Sequence, residues 1–255
     1  MNRGDMKAMI LAAGLGTRLK PLTDRIPKAL VEINGIPMLD RVINTLKNQG
    51  FTRLVVNVHH LSGQIVDHLS RKDYGVKIMI SDESSKLLDT GGGILKASEY
   101  LFEDDDQPVL IHNVDILSNA DLKKLMQVSI ENNEGTLLVS DRDSSRKLIF
   151  DRERLLKGWH DLKMDKFRPE EFQVKPEYSE KAFSGIYTIT KREVDEMREL
   201  MEETNFPIMD YFLSKERKEK IRGLEQKDLR LIDIGKPATM LQASDLLKDT
   251  DINSN

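Results

Sequence analysis

The chain contains no cysteine in 255 residues, which excludes disulfides, thiolate nucleophiles and cysteine-held zinc. It is poor in aromatics, with one tryptophan, five tyrosines and eight phenylalanines, and it has no strong excess of either charge. Its 43 acidic and 39 basic residues leave a formal net charge of −4 and are mixed along the whole length, so no basic face for nucleic acid is expected. No apolar run approaches the roughly 20 residues that a membrane helix needs. The stretch Ala8 to Ala13 runs straight into Gly14, Gly16 and Arg18, which reads as a buried strand feeding a loop and not as a signal segment. These absences together lead us to expect a soluble, cytoplasmic protein with no nucleic-acid or membrane partner.

Short apolar runs alternate with amphipathic stretches through the first half, the pattern of a parallel sheet flanked by helices. Strands are expected at Ala8–Ala13, Leu54–Val58, Val76–Ile80, Val109–His112 and Thr136–Val139. Met38, Leu39, Val42, Ile43 and Leu46 lie at helical spacing before Gly50, and Leu122, Leu125 and Met126 mark a second such face. After Ser140 the rhythm breaks into strand-like pieces at Leu148–Phe150 and Leu155–Gly158, a polar stretch from Lys163 to Glu180, and a firm strand Phe183–Ile189. This part is expected to form a small annex over one sheet edge, with Trp159 as its packing. A helix near Pro207–Lys215, a strand Leu229–Ile234 and a helix Pro237–Leu247 follow, then a polar tail at 249–255. The fold class expected is α/β, Rossmann-like, with a mostly parallel mixed sheet and flanking helices.

The segment Leu11-Ala12-Ala13-Gly14-Leu15-Gly16-Thr17-Arg18 carries a strand into a glycine loop, where bare backbone N–H groups can approach phosphate oxygens. It lacks the third glycine of the dinucleotide fingerprint, Leu19 standing there, and the Gly-Lys-Ser/Thr ending of a P-loop. On the glycines alone it reads equally as a tight turn. Read onward it becomes AAGLGTRLKPLTDRIPKAL, and this string resembles the nucleoside-diphosphate-sugar pyrophosphorylase, or sugar-1-phosphate nucleotidyltransferase, family. That family carries a Gly-x-Gly-x-Arg loop, then Pro-Leu-Thr, then Pro-Lys. Further segments match in order: Asn57-Val58-His59-His60-Leu61, Thr90-Gly91-Gly92-Gly93, Asn113-Val114-Asp115, Phe183-Ser184-Gly185-Ile186 and Ile232-Asp233-Ile234-Gly235. TGGGI followed by AFSGI is most similar to the compact N-acetylmuramate-1-phosphate uridylyltransferase and mannose-1-phosphate guanylyltransferase members. The resemblance implies the nucleotide-diphospho-sugar transferase fold as a single domain over 1–248, with a nucleotide-binding core at 7–140 and a sugar-phosphate part at 141–248.

The reaction so implied is attack of a sugar-phosphate oxygen on the α-phosphorus of an NTP, with pyrophosphate leaving. The nucleophile is already anionic, so positioning and charge neutralisation suffice. Aspartates at strand ends suit a magnesium ion that also binds substrate phosphates. Asp115 and Asp233 follow the apolar runs Val109–His112 and Leu229–Ile232; from the residues alone either could equally cap a helix or close a turn, with Ser118 or Asn119 better placed as caps than Asp115. The resemblance makes both metal ligands for Mg²⁺, places Arg18 on the departing phosphates and puts Lys28 at the α-phosphate. It assigns the nucleotide to Leu11, Ala12, Ala13, Gly14, Gly16, Thr17 and Arg18 in the loop, with Asn57, Thr90, Gly91 and Gly92 beyond it. Asn113, Ser184 and Gly185 fall to the sugar phosphate. Thr90 also reads as a helix N-cap, Phe183–Gly185 as plain strand, and Lys175-Pro176 as a surface turn. The partners implied are an NTP, UTP or GTP, and a sugar 1-phosphate, with N-acetylmuramate 1-phosphate and UTP ahead of mannose 1-phosphate and GTP.

One departure stands out. The family usually has glycine before the first metal aspartate, and here Val114 disfavours positive φ. Either the backbone needs no glycine there or activity is affected. The rival readings are a nucleotide-sugar-dependent glycosyltransferase, for which Asn113-Val114-Asp115 supplies half of an Asp-x-Asp motif, and a non-catalytic nucleotide sensor. Among the five histidines no zinc site is expected, since the adjacent His59 and His60 would point apart on a strand.

Overall fold

The computed structural model describes residues 5–214, 220–235, 238–240 and 242–243. Strand β1 (Met6–Leu11) leads through single 3-10 turns at Thr17–Leu19, Leu22–Asp24 and Lys28–Leu30 to a hairpin of β2 (Glu32–Ile33) and β3 (Ile36–Pro37) and helix α1 (Met38–Asn48). Next come β4 (Phe51–Val58), α2 (Ser62–Ser70), β5 (Lys77–Asp82), α3 (Asp89–Leu101), β6 (Val109–Asn113), β7 (Ile116–Ser118), α4 (Leu122–Asn132) and β8 (Thr136–Ser140). The remainder holds β9 (Arg146–Phe150), β10 (Leu156–Asp161), β11 (Lys166–Arg168), β12 (Ser179–Ile189), α5 (Lys191–Leu200), α6 (Ile208–Phe212), β13 (Arg222–Glu225) and β14 (Leu231–Asp233).

Ten of these strands make one sheet. β6, β1, β4 and β5 run parallel, and β12 closes on β6 antiparallel. Beyond β12 lie β8 and β13, while the first residues of β12, Ser179 to Lys181, pair with β9 and carry the sheet on through β10 and β11. The annex is therefore an antiparallel extension of the main sheet, joined through the long strand β12 and tied to the β13 segment by a bridge between Leu155 and Arg222.

The parallel strands carry apolar runs such as Ala8–Leu11, Leu54–Val56 and Val109–Ile111 because helices cover both faces. Ala8, Ile10, Leu54, Val56 and Leu110 pack with α1 and α4 on one side. Met9, Val55, Val109 and Ile111 alternate to the other side, against Ile94 and Ala97 of α3 and Val194 and Met197 of α5. A fully buried side chain of this size contributes about 1.5–3 kcal/mol, so double-sided burial and not strand propensity fixes the register. Trp159 of β10 packs against the second cluster, as expected for the annex.

The expected strands are all present, with ends moved by a few residues. Strands β2, β3, β7, β11 and β13 and helices α2 and α5 lie outside the sequence expectations, β11 falling within the stretch read as polar from Lys163 to Glu180. Asp121, and neither Ser118 nor Asn119, caps α4, its side chain accepting from Lys124 N–H at 2.9 Å. The helix expected at 207–215 is the short α6. That expected over 237–247 lies largely outside the described residues, of which 238–240 and 242–243 are helical; the tail at 249–255 lies outside them altogether. Among the described residues no helix is long and apolar enough to cross a membrane.

Candidate active site

Leu11 at the end of β1 lies opposite Asn57 in β4 and Asn113 in β6, so three parallel strands finish level. The carboxyl ends of such strands are where open α/β sheets gather ligands. Here a cavity of about 290 Å³ opens, floored by Leu11, Ala12, Ala13, Gly14, Asn57 and Asn113 and walled by Lys28, Leu87, Asp89, Thr90, Val114 and Asp115.

The floor is held by buried polar bonds. Ala12 N–H donates to Asn57 Oδ1 at 2.7 Å, Asn57 Nδ2 donates to Glu83 Oε1 at 2.7 Å, and Leu88 N–H donates to Glu83 Oε2 at 3.3 Å. Glu83 is fully buried. Burial pushes its carboxyl above the ordinary range, and the two donors only partly oppose this. His59 Nδ1 and His60 Nε2 bond the carbonyls of Glu83 and Thr23 at 2.6 and 2.9 Å. The histidine pair thus fastens two loops to the strand end, and β4 stops at Val58, before either of them.

The glycines divide into two kinds. Gly16 sits at φ +64, and a Cβ there would fall 2.8 Å from Thr23 Cγ2; the buried Thr23 hydroxyl donates to Gly16 carbonyl at 2.8 Å. Gly91 and Gly92 open α3 against the segment before α6, where a Cβ would come 2.2 Å from Phe206 and 2.0 Å from the Thr204 carbonyl. Their N–H groups donate to Phe206 carbonyl at 2.9 and 3.4 Å. The requirement for glycine at 91 and 92 arises from this packing. Gly14 is different, for a Cβ there would meet nothing within 4 Å. Thr90, for which an N-cap is the alternative reading, lines the cavity from within α3, and its Oγ1 accepts from Ile208 N–H at 2.8 Å, fastening α6.

The segments that carry the two carboxylates are joined by a two-stranded ribbon. β14 pairs antiparallel with β7, Asp233 opposite Ile116, and Ile234 N–H donates to Asp115 carbonyl at 2.8 Å. Ile232 and Ile234 turn into an apolar cluster with Val31, Ile33 and Leu117, so alternation sends Asp233 to the opposite side. Lys28 Nζ is ion-paired with Asp115 Oδ2 at the cavity wall. Arg18 and Asp233 flank Gly235, where a Cβ would fall 2.5 Å from Arg18 Nη2 and 2.7 Å from Asp233 Oδ1. Arg18, Asp233, Gly16 and Thr17 lie outside the cavity lining. Thr17 is exposed at the start of the first 3-10 turn.

Among the described residues no three His, Asp or Glu side chains cluster as a metal cage. The carboxylates of Asp115, in the turn before β7, and Asp233, at the end of β14, are hard oxygen donors that nevertheless suit Mg²⁺, which takes one or two carboxylates and completes its shell from substrate phosphates and water. Val114 is buried, is absent from the positive-φ residues, and donates its N–H to Leu11 carbonyl at 3.2 Å. The backbone before Asp115 therefore needs no glycine.

On the other side of Asn113, β12 bulges. Gly185 has φ +75, and a Cβ there would press within 2.7 Å of Asn113 Nδ2. Ser184 is buried, its hydroxyl engaged with Ile186 N–H and carbonyl at 3.1 and 3.2 Å. Of the two lysines near this segment in sequence, Lys181 is tied to Asp141 and Glu225 at 2.7 and 2.9 Å. Lys175 lies on an exposed turn over the Tyr178 ring. The cation that reaches the bulge is one the sequence did not mark: Arg142, whose Nη2 donates to Phe183 carbonyl at 2.8 Å.

The family model for the nucleotidyl transferases matches residues 7–250. The N-acetylmuramate alpha-1-phosphate uridylyltransferase of Neisseria meningitidis is 42% identical over 125 residues, 49% of this chain and 53% of the relative. The mannose-1-phosphate guanyltransferase of Pichia angusta is 31% identical over 215 residues, 80% of this chain and 56% of the relative. The chain thus spans about half the length of these curated relatives. Among solved structures, HddC from Yersinia pseudotuberculosis complexed with GMP-PN shares the fold at a TM-score of 0.75 and 24% identity, covering 95% of this chain and 99% of that one. A putative glucose-1-phosphate thymidylyltransferase from Bacillus anthracis does so at 0.78 and 19%, covering 98% of each chain.

Proposed function

Since this chain belongs to the nucleotidyl transferase family, we propose that it transfers a nucleoside monophosphate from an NTP to a sugar 1-phosphate and releases pyrophosphate. The observation that carries this reading is the cavity at the level ends of β1, β4 and β6 with the Lys28–Asp115 pair in its wall. The open face of Gly14 leaves room for a ligand beside the backbone. Ala12 N–H is already spent on Asn57, so the base meets the remaining groups of Ala13 and Gly14, held in place by the Asn57–Glu83 bond.

Lys28 neutralises charge at the α-phosphate, and Arg18, beyond the cavity wall, takes the leaving pyrophosphate through its planar fork. Asp115 and Asp233 would hold magnesium, which when bound supplies charge neutralisation across the phosphates. No general base is needed for an acceptor oxygen that is already anionic. His112, buried behind Asn113 and pushed down to about 4 by burial, stays neutral and outside the chemistry. The ordinary backbone at Val114 removes the reason to regard the chain as a non-catalytic sensor.

For substrates we rank UTP with N-acetylmuramate 1-phosphate ahead of GTP with mannose 1-phosphate. The support is the TGGGI and AFSGI pattern and the higher identity to the uridylyltransferases. A pyrophosphate-release screen crossing four NTPs with a panel of sugar 1-phosphates tests both levels. One base should stand out by orders of magnitude, because a mismatch strands buried polar groups. Faster turnover of GTP with mannose 1-phosphate would reverse the ranking, and release from no pair would overturn the transferase reading.

A further inference from the structure

We infer that Arg142 binds the phosphate of the acceptor sugar, an assignment that rests on the transferase reading above. Arg142 follows the end of β8. Its backbone carbonyl accepts from Lys147 Nζ at 2.7 Å, which fixes the turn. Its Nη2 donates to the carbonyl of Phe183, the residue before the Ser184–Gly185 bulge. Its Nη1 lies at a long 3.4 Å from the Asp143 carbonyl, and its Nε is buried with no hydrogen-bond partner.

A guanidinium so placed has given up water without regaining an anionic hydrogen-bond partner. Burial lowers its proton affinity, and among the described residues the charge that opposes this is Asp233 nearby. The position therefore joins two parts of the site: the bulge against Asn113 and the carboxylate assigned to the reacting phosphates. A phosphate dianion there would be bracketed by a fork-shaped donor and the metal carboxylates, the arrangement that planar, bidentate recognition of phosphate favours. Lys28 is already paired with Asp115 and Lys181 with Asp141 and Glu225, so neither duplicates this role.

The test uses the full chain carrying Arg142→Ala and Arg142→Lys, each first shown by thermal unfolding to be folded. With the best NTP and sugar 1-phosphate pair, Arg142→Ala should raise KM for the sugar phosphate by about 10–100-fold, the loss of a charge-assisted hydrogen bond, and leave KM for the NTP within about threefold. Arg142→Lys should recover part of it. In calorimetry, mannose 1-phosphate should lose affinity for the alanine variant and unphosphorylated mannose should show no difference. An unchanged sugar-phosphate KM, equal rises in both KM values, or an effect confined to carboxylate-bearing acceptors would overturn the assignment. If the wild-type chain turns over no pair, the transferase reading fails, and lost mannose 1-phosphate binding in Arg142→Ala would still support the anion site.

Discussion

The proposed nucleotide side and the proposed acceptor side of the cleft satisfy their polar groups in different ways. On the nucleotide side, Asn57, Glu83, His59, His60, Thr23 and Thr90 all bond inward to other protein groups. What faces the cavity is largely backbone and small side chains. On the acceptor side the groups are charged and less deeply buried: Lys181 between Asp141 and Glu225, His160 between Glu180 and Asp165, and Arg168 on Asp210. Under the proposed function, a base would be read by a rigid backbone outline, whose side chains are consumed in holding it. A sugar would then meet longer, partly exposed charged side chains. Change in acceptor preference would accordingly be cheaper for this fold than change in base.

The sharpest way to break that contrast is at the carboxylates that serve both sides. Asp115→Asn and Asp233→Asn should each lower turnover by about 1,000-fold or more with the fold retained, since a metal site worth several kcal/mol of charge stabilisation is lost. Near-normal pyrophosphate release from either variant at saturating NTP would remove that residue from the site.

Next in size is a pH effect on the buried scaffold. His112 is depressed to about 4 in the folded chain, so the unfolded chain binds its proton first as pH falls through about 6.5. Its contribution leaves stability undisturbed above that value and is lost progressively between about 6.5 and 4, up to about 3 kcal/mol at the acid end. Urea unfolding across this window should show a shallower pH slope in His112→Gln, by up to one proton; identical slopes would mean that His112 does not resist protonation.

Arg18→Ala should weaken NTP binding by about 10–100-fold through lost charged hydrogen bonds while sparing nucleoside monophosphate. Equal losses by calorimetry would place Arg18 elsewhere than on the leaving phosphates. A glycine pair sharpens the contrast within the nucleotide side itself. Gly91→Ala should destabilise by about 1–3 kcal/mol, as overpacking does, because its Cβ would enter the Phe206 ring. Gly14→Ala should leave the melting temperature alone and raise KM for the NTP. Smallest of all, Lys181→Met should change stability by less than about 1 kcal/mol and leave the sugar-phosphate KM unchanged; a marked rise there would move the acceptor anion from Arg142 towards Lys181.

The parallel core was legible in the sequence because strands buried on both faces appear as unbroken apolar runs, such as Val109 to Ile111. β7 was not, since three residues after a turn carry no period. α5 is almost all charged on its outer face, and its signal was a capping box, Thr190 and Glu193, set just past the strand. The Gly-x-Gly-x-Arg and Pro-Lys strings point to Arg18 and Lys28 by family pattern; in the fold one lies beside Asp233 and the other on Asp115. Gly91 and Gly92 show the limit of such reading, for a glycine that admits a ligand and one that admits Phe206 look alike in sequence. Arg142 was beyond reach for another reason. It is one of 39 basic residues, and only the meeting of the β8–β9 turn with the bulge in β12 distinguishes it.

The ribbon of β7 and β14 has a temporal meaning as well as a geometric one. Asp115 belongs to a strand end completed early in synthesis, whereas its counterpart is joined to it across a separation on the order of 100 residues. On a ribosome the nucleotide floor can form long before the second carboxylate emerges. The nascent chain is therefore able to build its parallel core while still lacking β14, and under the proposed function competence for transfer would arrive only with that strand.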